Sequence, residues 1–396
     1  MKITKLSLAA VAAMALTTGA MAEVDVKVGG QGVVYYQTVE NGGNSDFFAQ
    51  GTEAKGTVGN SKANAGLQLN VNSDLGNNFG LGLQGTALGS LGLENNLVSN
   101  VMQRADGSLN GVALTKAYLT KKVGNTTLKA GRQELPKSLS PLAFSESWNV
   151  FKNTFDAVVA INSDIPDTTV VGAYVSKSNG HGDLSSFDNM KADMAGGAYM
   201  LTVANKSSKM VQPTVSYYAL KDLNAVGGES GSALWADLQV DANLPVKLAL
   251  QGGTIMPENN LDDTTAYGVK VTGKASNVAL KLAYTSVDDG AVSVQNVGTG
   301  VKTPLYTQMV ANQGHISTDA DTVVLQAVMP LAAGKLIGQY GLTTDNKSDN
   351  SDFNELDIIY KFKALGTNML AAYVRADHEA ASDPANIIRV WTRYNF

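Results

Sequence analysis

The chain has 396 residues, 44% hydrophobic and 16% charged, with a formal net charge of −5 and no cysteine. Mild acidity without a basic patch excludes a nucleic-acid partner, and the missing cysteines exclude a disulfide framework. Beyond the first residues no run of about 18 apolar residues occurs, which excludes a transmembrane helix.

The first element is an export signal. Lys2 and Lys5 precede an apolar stretch from Leu6 to Leu16, and Ala20-Met21-Ala22 supplies the small-x-small pattern that a signal peptidase cuts. The stretch is too short for a membrane anchor, which needs about 20 residues. Residues 1–22 are therefore predicted to be removed after Ala22. Loss of two lysines takes the net charge from −5 to −7.

Strand-like alternation then recurs to the end of the chain. Ala65, Leu67, Leu69 and Val71 alternate with Gly66, Gln68, Asn70 and Asn72. After the turn 74–78, Phe79, Leu81 and Leu83 alternate with Gly80, Gly82 and Gln84, a hairpin with one apolar and one polar face. The same pattern returns at 234–241, 267–272, 278–285 and 355–362. Short connections (74–78, 124–125, 163–167, 205–209, 243–245, 274–277, 330–334, 364–367) alternate with long ones (38–62, 89–111, 133–153, 177–192, 222–230, 256–263, 288–320, 343–353, 377–385). Short periplasmic turns opposite long external loops are the signature of a transmembrane antiparallel β-barrel. The connections predict about 18 strands, with 16 as the alternative. Asn44, Asn224, Asp289 and Asp349 are expected outside the cell and Asn125 in the periplasm. A soluble sandwich would alternate similarly, but the chain is too long for one sandwich and has no domain linker.

The last strand is amphipathic. Ile388, Val390, Thr392, Tyr394 and Phe396 share one face; Arg389, Trp391, Arg393 and Asn395 share the other. A terminal aromatic, Phe396 with Tyr394 before it, looks like the assembly signal that the barrel-assembly machinery of Gram-negative bacteria reads. The expected location is that outer membrane, in contact with lipid and lipopolysaccharide.

From Leu114 to Val175 the sequence resembles the OprD-like outer-membrane porins, particularly the major porins of epsilonproteobacteria. The residues that carry the likeness are Ala117-Tyr118-Leu119, the run Gly124 to Gln133 with Gly131-Arg132-Gln133, then Ser140-Pro141-Leu142 and Asn153-Thr154-Phe155-Asp156-Ala157. The resemblance implies an 18-stranded barrel, passive diffusion of ions and small hydrophilic solutes, a homotrimer, and a loop at about 133–153 folded inward as a constriction. Glu134, Lys137, Glu146, Asn149, Lys152 and Asp156 are then the constriction residues. The segment 145–152 lacks the arginine that the family often has there, and Lys152 is the candidate for its role. Pro136, Pro141, Phe144, Trp148 and Phe151 could pack the loop against the wall.

Strict alternation puts Lys129, Lys247, Lys270, Lys281, Lys361, Arg375, Arg389 and Arg393 on the lumen side, with Asp156, Asp237, Asp241, Glu355 and Asp357. Charges are costly on the lipid face, and charges on the water side set the field that an ion meets. The loops carrying Asp262-Asp263, Asp288-Asp289 and 345–352 are oxygen-rich enough to consider calcium, but none has EF-hand spacing. His181, His315 and His378 have no metal-ligand spacing and are assigned to loops. With no positioned Ser–His pair, an enzyme is not indicated. The reading that competes with a porin is an adhesin or structural barrel whose long loops bind partners.

Overall fold

The computed structural model describes residues 25–42, 46–48, 61–93, 98–107, 109–185, 187–189, 194–223, 229–241, 243, 245–258, 260–347 and 351–396. The export signal 1–22 and the loop positions Asn44, Asn224 and Asp349 lie outside the described residues. Nineteen strands follow in chain order: β1 Val26–Glu40, β2 Lys62–Gly76, β3 Phe79–Gly89, β4 Gly111–Val123, β5 Thr126–Gln133, β6 Phe155–Asn162, β7 Thr168–Asn179, β8 Phe187–Asn189, β9 Met194–Asn205, β10 Val211–Leu223, β11 Glu229–Val240, β12 Val246–Pro257, β13 Thr264–Ala275, β14 Val278–Val287, β15 Ala320–Leu331, β16 Gly334–Asp345, β17 Phe353–Ala364, β18 Thr367–His378 and β19 Ala385–Asn395.

Eighteen of them form one closed antiparallel barrel. Each pairs with its chain neighbour, β7 pairs onward with β9, and β1 closes the ring on β19 from Gln31↔Asn395 to Glu40↔Asn386. The remaining strand, β8, is a three-residue addition to the external end of β7, within a segment read from sequence as loop. Closure removes every sheet edge, as hydrocarbon demands of a spanning backbone. At the first periplasmic turn Asn77 and Asn78 both take positive φ, 51° and 62°, the backbone of a two-residue hairpin turn that asparagine tolerates.

The alternation sorts side chains by solvent. Leu119, Leu201, Leu234, Leu282, Leu325 and Ile358 point outward into the lipid band. Aromatic residues flank that band: Tyr174, Tyr199, Tyr267 and Tyr284 toward the external end, Tyr360, Phe362, Tyr394 and Phe396 toward the periplasm, the girdles of an outer-membrane barrel. Phe396 locks the closing seam. Its backbone exchanges hydrogen bonds with Gly30 at 2.8 and 3.1 Å, and its ring lies where a Cβ on Gly30 would stand, 2.8 Å from Cζ.

The hydrophobic core lies inside the ring. The largest buried cluster joins Leu135 and Leu142, from the 134–154 connection, to Val292, Val294, Val297, Leu305 and Ile316, from the 288–319 connection, against the inner wall of β6, β7, β9 to β14. The 288–320 connection was expected outside the barrel, but its stretch from Val292 to Ile316 packs within it, while Asp288 and Asp289 are exposed. The physical reason is its composition: between Asp289 and Asp319 only Lys302 carries a full charge, so its valines gain more against the wall than in water.

Candidate functional site

Two connections, L3 (134–154) and L7 (288–319), enter the barrel and meet. L3 spans from one wall to the other. On the β10 side the Leu142 N–H donates to the Tyr218 hydroxyl at 3.2 Å. Across the lumen Arg393 Nη2 donates to the Val150 carbonyl at 2.9 Å. The Phe151 ring lies against Gly66 of β2, where a Cβ would stand 2.6 Å from it. Leu142, Phe144, Val150 and Phe151 are all buried. Each such side chain contributes about 1.5–3 kcal/mol, more than an exposed ion pair at about 0–1 kcal/mol. Packing, rather than its charges, therefore holds L3 inward.

L7 docks on L3 through Asn296. The Phe144 N–H donates to Asn296 Oδ1 at 3.1 Å, Asn296 Nδ2 donates to the Phe144 carbonyl at 2.8 Å, and the Val297 N–H donates to the Leu142 carbonyl at 2.8 Å. Farther along, the N–H groups of Val310 and Ala311 both donate to Glu355 Oε1 of β17, at 2.9 and 2.8 Å.

Glu146 is the hub of this assembly. Its buried carboxylate accepts from Asn296 Nδ2 at 2.8 Å, from the Lys302 N–H at 3.2 Å and from the Thr299 hydroxyl, and meets His181 Nδ1 at 2.9 Å. Burial pushes its carboxyl up, but the contacts from His181, Thr299 and Asn296 outweigh that and hold it below its ordinary value. Asn149, beside it, donates to the His181 carbonyl at 2.5 Å.

Charge surrounds the remaining passage on three sides. On β16, β17 and β19, Lys335, Lys361, Arg389 and Arg393 form a basic stripe. Lys361 and Arg389 stand 5.3 and 5.8 Å from the Trp148 ring of L3, within reach of cation–π attraction. Arg389 is held by Gln37 Oε1 at 2.9 and 2.7 Å. On β4 and L3, Glu134 bridges Lys116 at 2.5 Å and Lys152 at 2.9 Å; burial raises its carboxyl, but the two lysines outweigh that and hold it low. On β11 to β14 the side chains are Asp237, Lys270 and Lys281, with Lys137 of L3 and Tyr306 of L7 facing them. Lys302 is buried between the loops. Its Nζ donates to Gln313 Oε1 at 3.0 Å, and burial pulls its ammonium down to about 8 against the opposing pull of Glu146.

The residues named from sequence fall into three groups. Lys129, Lys270, Lys281, Glu355, Asp357, Lys361, Arg389 and Arg393 face the lumen, as do Glu134, Lys137, Glu146, Asn149 and Lys152 on L3. Lys247 and Asp241 share that side but pair with each other at 2.5 Å near the periplasmic mouth. Asp156 and Arg375 are corrections. Phe155 and Ala157 are the inward residues of β6, so Asp156 points outward, where Arg132 clasps it at 2.9 Å. On β18 the inward residues are Leu370, Ala372 and Val374, so Arg375 points outward at the external rim, beside Asp377 at 3.4 Å. Near a strand's external end an outward charge meets headgroups rather than hydrocarbon, and there lipid-face charge costs only about 0–1 kcal/mol. His181 and His315 lie in connections as expected, whereas His378 ends β18, 5.0 Å from His315, whose ring stacks on Phe353 at 4.1 Å.

Sequence reasoning missed Lys116, Lys302, Lys335 and Tyr306. Lys335 shares parity with Ile337 and Gln339 and was legible by alternation; Lys302 and Tyr306 required recognising that L7 is nearly uncharged. Among the described residues no three metal-ligating side chains converge.

The family model of Gram-negative porins matches residues 9–381. No curated protein sequence matches. Solved structures do. OccK8 (OprE) of Pseudomonas aeruginosa superposes with a TM-score of 0.74 at 14% identity, over 94% of this chain and 98% of that one. OccAB3 of Acinetobacter baumannii gives 0.73 at 13%, over 94% and 99%. OpdK of Pseudomonas aeruginosa, solved with vanillate, gives 0.75 at 11%, over 94% and 98%. At these identities the likeness is one of fold.

Proposed function

The chain belongs to the Gram-negative porin family, whose members are outer-membrane channels, and we propose that its narrowed lumen favours small hydrophilic anions. One observation carries this reading. On the basic stripe Lys335, Lys361, Arg389 and Arg393 face the lumen, and none forms an ion pair among the described residues. Their field is therefore available to a passing solute, and low-dielectric walls focus it. L3 and L7 are the constriction, and Glu134, Lys137, Glu146, Asn149 and Lys152 set its shape and charge. Vanillate, present with OpdK, is an aromatic carboxylate. A solute of that kind could lay its ring on Trp148 and its carboxylate against Lys361 or Arg389.

Export and assembly complete the reading. Residues 1–22 direct secretion and are cut after Ala22. The barrel-assembly machinery reads Phe396 and inserts the chain among lipopolysaccharide and lipid. The likeness to epsilonproteobacterial porins supports a homotrimer. The inward course of L3 and L7 leaves two fewer long loops for an adhesin to use.

The test is the reversal potential of the purified channel in a planar bilayer under a potassium chloride gradient. Anion preference is expected, and it should weaken in Lys361→Met and Arg389→Met. A cation-selective potential overturns the proposal.

A further inference from the structure

Beside the basic stripe, on the stretch of wall from β9 to β14, a cavity of about 610 Å³ opens beneath L3 and L7 toward the periplasmic turn at Asn205 and Lys206. Besides Lys206, three lysines line it: Lys270 of β13, Lys281 of β14 and Lys137 of L3. Lys270 and Lys281 stand on adjacent strands. None of the three forms an ion pair among the described residues. Lys137 Nζ donates to the Thr303 carbonyl at 2.8 Å and Lys281 Nζ to the Tyr306 carbonyl at 3.4 Å, while Lys270 Nζ sits 3.9 Å from the Tyr306 ring centre. The one carboxylate among the described residues that line the cavity, Asp237, accepts from the Tyr306 hydroxyl and from Gln239 Nε2 at 3.1 Å. L7 thus supplies a ring and two carbonyls that hold the lysines in place, and the single charge of Asp237, which attracts Lys137 and Lys270, leaves an excess of positive charge in the cavity. Three like charges crowded against one cavity repel one another. Burial, with repulsion from Lys270 and Lys302, pulls the Lys137 ammonium down to about 8 despite Asp237 and Glu146.

We propose that this cavity is a binding site for small organic dianions, solutes carrying two carboxylates at a spacing that lets both meet ammonium groups. A monoanion relieves the repulsion of one lysine pair at most. A dianion can sit between Lys270 and Lys281 with its second charge toward Lys137, and charge-assisted contacts of this kind are the strong ones. The inference rests on the channel reading, for it supposes that solutes reach the cavity through the lumen.

The experiment is block of the chloride current through single channels by succinate or by butyrate, a monocarboxylate of equal chain length, added on the periplasmic side. Succinate should block at least about tenfold more tightly, the effect of one further charge contact of about 1.4 kcal/mol. Lys281→Met should remove most of that advantage, and Lys270→Met should do the same without touching the same strand. Lys361→Met, on the stripe, should leave the succinate-to-butyrate ratio within about twofold, since three strand spacings of about 4.8 Å separate β17 from β14, more than the screening length of about 8–10 Å. Equal block by the two acids overturns the proposal, as does an equal loss of ratio in Lys281→Met and Lys361→Met. The chloride current of the parent protein without added acid tests the channel reading separately from this one.

Discussion

Replacing Glu146 with alanine should loosen L7 without unfolding the barrel. The side chain lies within the loops and touches no strand backbone; its partners are His181, Asn296, Thr299 and the Lys302 N–H. Hydrogen bonds to a charged group contribute about 1.5–3 kcal/mol each. They are not additive, because Asn296 keeps its bond to the Phe144 carbonyl and His181 can turn to lumen water. The Lys302 N–H has no such escape. A local loss of about 3–5 kcal/mol follows, the range for removing one partner from a buried charged network. Hydrogen exchange of residues 294–303, read by mass spectrometry on protein in nanodiscs, should accelerate at least about 100-fold, since 1.4 kcal/mol is a factor of ten. Exchange in β10 and β19 should stay as in the parent protein. Glu146→Gln keeps the shape but turns an amide toward donors, so it should fall between the two. The parent protein should mimic the alanine variant in acid. The Glu146 carboxyl lies below its ordinary value, so its contribution is complete above that ordinary value and is lost as pH falls through the depressed one. Exchange of 294–303 within about threefold of the parent in Glu146→Ala would refute the reasoning.

Three further outcomes follow from the same geometry. Burial pulls Lys302 and Lys137 both down to about 8, so anion preference should decline as pH rises through that value and the decline should be shallower in Lys302→Met; reversal potentials measured from pH 6 to 10 check both. Leu282→Lys places a charge at an exposed outward site of β14 and should cost about 2–4 kcal/mol if near the midplane, read from folding equilibria into lipid vesicles, whereas Ala279→Ser, at a partly exposed position on the lumen side of the same strand, should cost under about 1 kcal/mol. Deleting Phe396 removes two backbone hydrogen bonds and the ring packed on Gly30, and should lower surface levels of folded protein while leaving the periplasmic amount of processed chain intact; normal surface levels would exclude an assembly role.

The barrel was legible because lipid permits few solutions. Period-2 alternation at 65–72, 79–84 and 278–285, with turns short on one side and long on the other, constrains the strands, and β2, β3 and β14 follow it residue by residue. Facing was less secure where a bulge shifts the count or a strand ends in headgroups. The register shift beside Asp156 and the rim position of Arg375 both lie in such places, and alternation alone has no means of measuring depth. The interior of the site was legible only in part. Gly131-Arg132-Gln133 pointed to L3 by resemblance, while L7 has no such motif. Its signal was physical: a long connection with valines at 292, 294 and 297 and almost no charge has little reason to remain in water. The lysine cavity needed both loops in place, because Lys137 and Tyr306 are far in sequence from Lys270 and Lys281.

The account turns on a water-filled barrel narrowed by two inward loops. Single-channel recording of the purified protein in a planar bilayer tests this most directly, with a variant in which residues 293–317 are replaced by a short glycine–serine turn. The parent protein should give discrete ohmic steps, and the variant should give steps of clearly larger conductance because an empty barrel of this strand number encloses a wide channel. Absence of steps from folded protein, or equal conductance in parent and variant, would contradict it.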